Sequence, residues 1–204
     1  RDLFVLSNNH VIAGCNHVAV GIPIMSPSMI DVHATLPAPV EIGRHAEIVE
    51  LRSGNPNLVP IAQTDMAIAL AVETTVSSWQ GDQVYGYDTP TPTADPVSGM
   101  RVKKFGRTTD LTTGIIESII PTPMPLPYKT KEFSATVWFE NVWLVAGDDG
   151  PFAMAGDSGS LVVTEDGLTA VGLVFATSGN YGVIVPIDTV LAALNLELVG
   201  NHGI

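Results

Sequence analysis

Three residue types that together carry out acyl-transfer chemistry occur in this sequence in suitable settings. Ser158 follows Gly156 and Asp157, precedes Gly159, and stands just before an apolar run at residues 161–163. Glycines on both sides allow a sharp turn that exposes the serine hydroxyl and leaves the N–H groups of Gly156 and Ser158 free. These are the parts of a nucleophile with an oxyanion hole. Because the motif also occurs in ordinary turns, its meaning depends on a base and a carboxylate elsewhere.

The best candidate for the base is His10. It follows an apolar run at residues 3–6 and three small polar residues, which places an imidazole at the end of a predicted strand, facing a cleft. The alternative is a histidine that caps a helix or turn. The remaining histidines lack this setting: they are His17, His33, His45 on a predicted exposed edge, and His202 near the end of the sequence.

The best candidate for the carboxylate is Asp65, which opens an almost continuous apolar segment at residues 66–72. A charge that enters a core strand needs a partner, because burying it alone is costly. The Nδ1–H of a histidine would satisfy it and fix the imidazole tautomer, as a Ser-His-Asp triad requires. The alternative is an exposed aspartate in a turn, which is our interpretation of Asp31, Asp82, Asp88 and Asp110.

A metal site is a weaker interpretation of the same region. Cys15 and His17, with His10 nearby, are ligand types at a spacing that carries little specificity. We therefore predict no metal and no cofactor.

The elements that must position these residues are predicted to be short strands. Hydrophobic residues make up 46% of the chain, which indicates a buried core. Short apolar runs rich in Val, Ile and Thr alternate with turn residues, the pattern of an all-β barrel or sandwich. Only residues 187–198 have helical spacing, with Asp188 as the predicted N-cap.

Two proline-rich segments divide the chain. Residues 89–96 contain three prolines and three threonines, and we interpret them as a linker between halves at 1–88 and 97–204. Residues 121–127 are predicted to be an exposed, extended loop. Recognition of that loop by a proline-binding domain is a weaker alternative.

Charge and cysteine content exclude several functions. The net charge of −12 disfavours nucleic acid and anionic membranes as partners, because a phosphate backbone attracts Lys and Arg. No apolar run is long enough for a transmembrane helix. The single cysteine, Cys15, excludes an internal disulfide, which slightly favours a cytoplasmic location over a disulfide-free periplasmic or secreted one. The sequence is also compatible with a homo-oligomer.

The order His10, Asp65, Ser158 resembles that of the chymotrypsin-fold, or trypsin-like, serine proteases. Residues 102–115 resemble the strand pair that opens the second barrel in a bacterial branch of that family, to which the plant narrow-leaf proteins are similar. The resemblance implies two antiparallel barrels of the six-stranded type with a C-terminal helix. The first barrel would carry His10 and Asp65, and the second would carry Ser158.

The resemblance also implies a substrate pocket. In the family, the residue six before the nucleophile lies at the base of the primary pocket, and here it is Phe152, followed by Ala153. Two strands that resemble the pocket walls contain Ala176 and Gly182. Since no carboxylate stands at the base, we expect an apolar pocket for small or medium aliphatic side chains.

The sequence also departs from the family pattern. The residues around His10 lack the family's cysteine, and few residues precede the histidine strand, so we expect the first barrel to be incomplete at its N-terminus. No activation-type N-terminus is visible, so zymogen activation is not implied for Asp157. Function is therefore predicted as a serine endopeptidase acting on protein or peptide substrates. The alternatives are a catalytically idle binding or scaffold protein of this fold and an esterase-like hydrolase.

Overall fold

The computed structural model describes residues 2–32, 38–72 and 87–200, and most of its regular structure is β. His33 and His202, which are rejected as candidate bases, and Asp82, which is interpreted as a turn residue, lie outside these residues. The elements of the first half are β1 (Phe4–Ser7), α1 (Asn9–Ile12), β2 (Pro23–Ser26), a 3₁₀ turn (Met29–Asp31), β3 (Val40–Ile48) and β4 (Ala67–Ala71). Those of the second half are β5 (Arg101–Gly106), β6 (Asp110–Ile119), β7 (Met124–Lys129), β8 (Ser134–Phe139), β9 (Trp143–Gly147), β10 (Leu161–Thr164), β11 (Ala170–Ser178), β12 (Tyr181–Pro186) and α2 (Ile187–Leu194).

The first half forms a four-stranded antiparallel sheet in the order β1-β4-β3-β2. Strand β4 lies inside the sheet, and its first three residues and the preceding Met66 are buried, as the apolar run after Asp65 predicts. Among the described residues this sheet is open, with β1 and β2 at its edges. The strand that leads to His10 therefore pairs directly with the strand that follows Asp65.

The second half contains a closed six-stranded barrel in the order β10-β11-β12-β9-β6-β5. Small residues let the barrel close around one large ring: a Cβ on Gly182 would lie 2.7 Å from Cδ1 of Phe152, and one on Gly114 would lie 3.0 Å from Cδ2. The buried cluster inside the barrel consists of Val102, Ile116, Val145, Phe152, Ala153, Val162, Val171, Val174 and Ile184.

Strands β7 and β8 form a separate two-stranded hairpin, where the sequence predicted a loop at residues 121–127. Residues 121–123 lie outside any strand as predicted, but the loop prediction was wrong from Met124 onward, where β7 begins. Pro125 pairs in register with Trp138, whose carbonyl accepts from the N–H of Ala62 on the far side of β8. The prolines therefore occupy positions that need no donor toward β8, and an edge strand tolerates them there.

A larger buried cluster joins the two halves. Met66 and Ile68 of the first half pack in it with Phe139 of the hairpin and Phe175 of β11. The predicted linker at 89–96 is bonded to the second half, since Thr93 bridges to Ala170. The division into domains at 1–88 and 97–204 stays a prediction.

The C-terminal helix α2 is shorter than predicted. It ends at Leu194 because Asn195 takes a left-handed conformation, with φ 51° and ψ 51°, which closes a helix. Its N-cap is Pro186, not Asp188, which lies inside the first turn. Ile187, Val190 and Leu194 are buried, so the helix covers the core beside β11 and β12. No helix in the described part of the chain is long and apolar enough to cross a membrane.

Candidate active site

His10 is carried by the short helix α1, directly after β1. Two buried asparagines fix this turn against the residue that faces it. The side chain of Asn8 donates to the carbonyl oxygen of Asp65 at 2.8 Å, and the backbone N–H of Asn9 donates to the same oxygen at 3.2 Å. The Asn9 side chain also donates to the carbonyl of Val49 at 2.9 Å. These asparagines were missed as positioning groups, although two polar residues after an apolar strand were a signal.

The carboxylate of Asp65 is fully buried and contacts His10 twice. Its Oδ1 accepts the backbone N–H of His10 at 3.1 Å, and its Oδ2 makes a short contact with Nδ1 of the imidazole. An ionised carboxylate only accepts, so Nδ1 carries the proton and Nε2 is left as the basic nitrogen. This is the pairing that the sequence led us to expect for Asp65.

A third donor to Asp65 was missed from the sequence. The hydroxyl of Tyr128, on β7, donates to Oδ2 of Asp65 at 2.7 Å. Burial, together with the Asp65 charge, raises the pKa of Tyr128 far above its ordinary value. The Tyr128 ring also lies 5.7 Å from the His10 ring. The sequence gives no signal for this contact, because Tyr128 directly follows a proline-rich segment that was predicted to be an exposed loop.

Ser158 lies in a tight loop between β9 and β10. Gly156 and Gly159 both have left-handed φ values, +105° and +90°, which side chains rarely adopt. A Cβ on Gly159 would also lie 2.6 Å from Oγ of Ser7, so the loop approaches the histidine strand closely. Within the described residues, the N–H groups of Gly156 and Ser158 have no acceptor. Their assignment as an oxyanion hole stays a prediction.

The buried pair Asp157 and Lys104 fixes the loop that carries Ser158. The Asp157 carboxylate accepts from the backbone N–H groups of Thr108 at 2.7 Å and Met154 at 2.9 Å, and from the Thr109 hydroxyl at 2.8 Å. Nζ of Lys104 lies 3.5 Å away. Burial opposes ionisation of Asp157, yet these hydrogen bonds and the lysine charge outweigh it and lower the pKa of Asp157. Burial lowers the pKa of Lys104, and the Asp157 charge partly offsets this.

His10 and Ser158 line one cleft of about 340 Å³. No direct hydrogen bond joins these two described residues, a common state of catalytic pairs without substrate. Much of the remaining wall is apolar and comes from both the hairpin and the barrel. Apolar lining residues include Leu126, Pro127, Met154, Val174, Phe175 and Ala176.

The predicted pocket residues fall in two places. Ala176 lines the cleft beside Ser158. Phe152 is fully buried inside the barrel, with Ala153 and Gly182 packed around it, and none of these three reaches the cleft wall. Met154 and Ala155, from the same loop as Ser158, also line the cleft.

Of the other histidines, the described His17 and His45 do not line the cleft, whereas Cys15 lines it together with His10. His45, predicted on an exposed edge, is instead buried in β3 with only 3% of its surface exposed. Nδ1 of His17 lies 2.6 Å from the carbonyl oxygen of Cys15. Burial and the nearby Asp65 charge raise the pKa of the Cys15 thiol to about 11. Across the described ranges, no three His, Cys, Asp or Glu side chains come together as a metal site would require.

Comparison with known proteins gives matches in structure alone. No family model matches the chain, and no curated protein matches it in sequence. A glutamic acid specific serine protease that utilizes a histidine triad in substrate binding is similar over 97% of this chain and 87% of its own, with a TM-score of 0.60 and 16% identity. Thermobifida fusca Protease A covers 98% of this chain and 86% of its own, with a TM-score of 0.59 and 20% identity.

A third solved structure, the Nocardiopsis protease NAPase, covers 97% of this chain and 85% of its own, with a TM-score of 0.56 and 19% identity. These proteins are chymotrypsin-fold serine proteases. At such low identity the likeness concerns the fold. The chain therefore has the chymotrypsin-like fold of bacterial serine proteases, with a closed second barrel, a first half whose described strands form an open sheet, and a C-terminal helix.

Proposed function

We propose that the protein is a serine endopeptidase that uses Ser158, His10 and Asp65 as a catalytic triad. One observation carries the proposal: the imidazole of His10, bonded through Nδ1 to a buried carboxylate, faces the cleft that Ser158 lines. A histidine held in this way has its Nε2 available as a base toward the serine. The protease fold of the structural neighbours agrees with this assignment.

The reaction proceeds in two acyl-transfer steps. His10 removes the proton from the Ser158 hydroxyl as its oxygen attacks a peptide carbonyl carbon, and then gives that proton to the departing amine. The acyl-enzyme is hydrolysed by water, which His10 activates in the same way. The N–H groups of Gly156 and Ser158 stabilise the oxyanion, each typically by about 3 kcal/mol.

The cleft supports a preference for small or medium aliphatic side chains at the cleaved position. Ala176 forms part of the apolar cleft wall, while Phe152, Ala153 and Gly182 lie inside the barrel and would support that wall without contacting the substrate. Asp148 is bound bidentately by Arg101 at 2.7 Å, which leaves it unsuited to a basic substrate side chain. One structural neighbour is glutamate-specific through a histidine triad, but among the described residues that line this cleft His10 is the only histidine.

The alternative proposal is a catalytically idle or latent binding protein of the same fold. The observation in its favour is that Ser158 and His10 line the same cleft without a direct hydrogen bond. An esterase-like activity would use the same acyl chemistry on a simpler substrate. Descent from a bacterial branch related to the plant narrow-leaf proteins is a further proposal, which rests on the hairpin of β5 and β6.

Covalent labelling of Ser158 tests the proposal. We expect the wild type to react with a serine-reactive phosphonate and to cleave a casein-type substrate, and Ser158→Ala to lose both while folding normally. Ser178→Ala, at an exposed serine, serves as the matched control and should retain both. Labelling of Ser158→Ala at the wild-type rate would remove Ser158 from its role. Ester hydrolysis without peptide cleavage would support the esterase. Absence of both activities would support the idle protein.

A further inference from the structure

The carboxylate of Asp65 has a partner besides His10, and that partner comes from a different part of the fold. We propose that Tyr128 is a positioning residue, whose hydroxyl fixes the Asp65 carboxylate and thereby tunes the basicity of His10. The proposal rests on the triad proposed above. It adds a residue on the β7–β8 hairpin to the machinery of the site.

The hydrogen bonds of the carboxylate carry the first step of the argument. Oδ1 accepts from the backbone of His10, and Oδ2 receives both the imidazole and the Tyr128 hydroxyl. Asp65 has no exposed surface, so these donors replace the water molecules that would hydrogen-bond to an exposed carboxylate. Without the hydroxyl, Oδ2 would keep the imidazole as its donor.

The hairpin holds the hydroxyl in one position. Tyr128 is only 8% exposed and belongs to the core cluster that joins the two halves. Its ring lies 6.3 Å from the rings of Phe133 and Phe139. A ring fixed by such contacts presents its hydroxyl without the entropy cost of ordering a free side chain.

The chemistry of the hydroxyl sets the direction of its effect. Its raised pKa keeps Tyr128 protonated, and therefore a donor, throughout the range in which a histidine titrates. A donor to the carboxylate stabilises the negative charge, so that Asp65 attracts a protonated imidazole less strongly. Loss of the donor should make His10 easier to protonate and leave Asp65 less well oriented.

The hairpin also borders the substrate cleft. Leu126 and Pro127 line it next to Tyr128, and Lys129 and Thr130 continue the wall. A substrate in the cleft would therefore contact the hairpin whose Tyr128 hydroxyl donates to Asp65. Packing of the ring alone would give a purely structural role, so the test must remove the oxygen and keep the ring.

Tyr128→Phe makes that change, and Tyr181→Phe is the matched control because Tyr181 is 40% exposed on β12. For Tyr128→Phe we expect kcat on a peptide substrate to fall by roughly 10-fold, the effect of losing one charge-assisted hydrogen bond, with KM nearly unchanged. The acidic limb of the kcat/KM profile should move to higher pH. Tyr181→Phe should match the wild type in all three.

A spectroscopic measurement makes the test independent of turnover. The ring nitrogen resonances of His10, followed by NMR against pH, should titrate at higher pH in Tyr128→Phe than in the wild type. A site-specific 3-fluorotyrosine at position 128, a stronger donor, should shift the titration the other way, and it retains the hydroxyl if the Phe variant folds poorly. Identical His10 titrations in all forms would overturn the role of Tyr128. A wild type that fails to label at Ser158 would instead overturn the proposed function.

Discussion

At the scale of single residues, Asp65 is where most contacts of the site converge. Its backbone carbonyl accepts from Asn8 and Asn9, which hold the turn before His10, and its carboxylate accepts from His10 and Tyr128. A residue placed in this way both orients the imidazole and anchors the segment that carries it. Removing the charge of Asp65 should therefore reduce kcat strongly, even when the volume of the side chain hardly changes.

Asp65→Asn is expected to lower kcat by about four orders of magnitude. The amide would present N–H groups toward His10 and favour the wrong imidazole tautomer, which has roughly this effect in a triad. The exposed Asp149→Asn is the matched control and should leave kcat unchanged. Steady-state rates on one peptide substrate measure both, and a loss of less than about 10-fold for Asp65→Asn would argue against its place in the triad.

The pairing of Asp65 with His10 could be predicted from the sequence, because its signal lies in the residues next to Asp65 along the chain. A charged residue at the start of a buried strand needs a partner, so the sequence predicts a histidine beside Asp65. Tyr128 gave no such signal, because its contact depends on where a distant hairpin packs. The position of Phe152 inside the barrel likewise depends on Gly114 and Gly182 from other strands.

At the scale of elements, the hairpin β5–β6 supports the loop that carries Ser158. Lys104 on β5 and the turn at Thr108 and Thr109 together hold Asp157, the neighbour of Ser158. Alternation along β5 points Lys104 into the protein, and a lysine buried there needs a carboxylate. The sequence contained that signal, two adjacent lysines between Val102 and Phe105, but not the identity of the partner.

Lys104→Met is expected to destabilise the fold by about 3 kcal/mol, because it leaves the Asp157 carboxylate buried without its cation. Chemical denaturation measures the free energy of unfolding. Lys131→Met, at a lysine whose side chain is 92% exposed, controls for the loss of one charge. Equal stability of the two variants would mean that the N–H and O–H donors to Asp157 suffice without Lys104.

At the scale of the whole molecule, the candidate site is assembled from both halves. The proposed base, His10, follows β1 of the open sheet and its carboxylate, Asp65, precedes β4, while the proposed nucleophile belongs to a loop of the barrel. The buried cluster that joins the halves includes Cys15 and Met66 from one and Phe139 and Phe175 from the other. Because this shared core is continuous, the sheet cannot lose its packing without exposing apolar surface of the barrel and hairpin.

We therefore expect the two halves to unfold together. Cys15 is the only cysteine in the chain and is fully buried, so its reaction with a thiol reagent reports on the first half. In increasing denaturant, Cys15 should become reactive at the same midpoint as far-UV circular dichroism is lost, and calorimetry should give one transition with equal calorimetric and van't Hoff enthalpies. Cys15→Ala supplies the labelling background. Reaction of Cys15 at lower denaturant, while most of the far-UV circular dichroism persists, would show that the first half opens separately and that the shared core does not couple the halves.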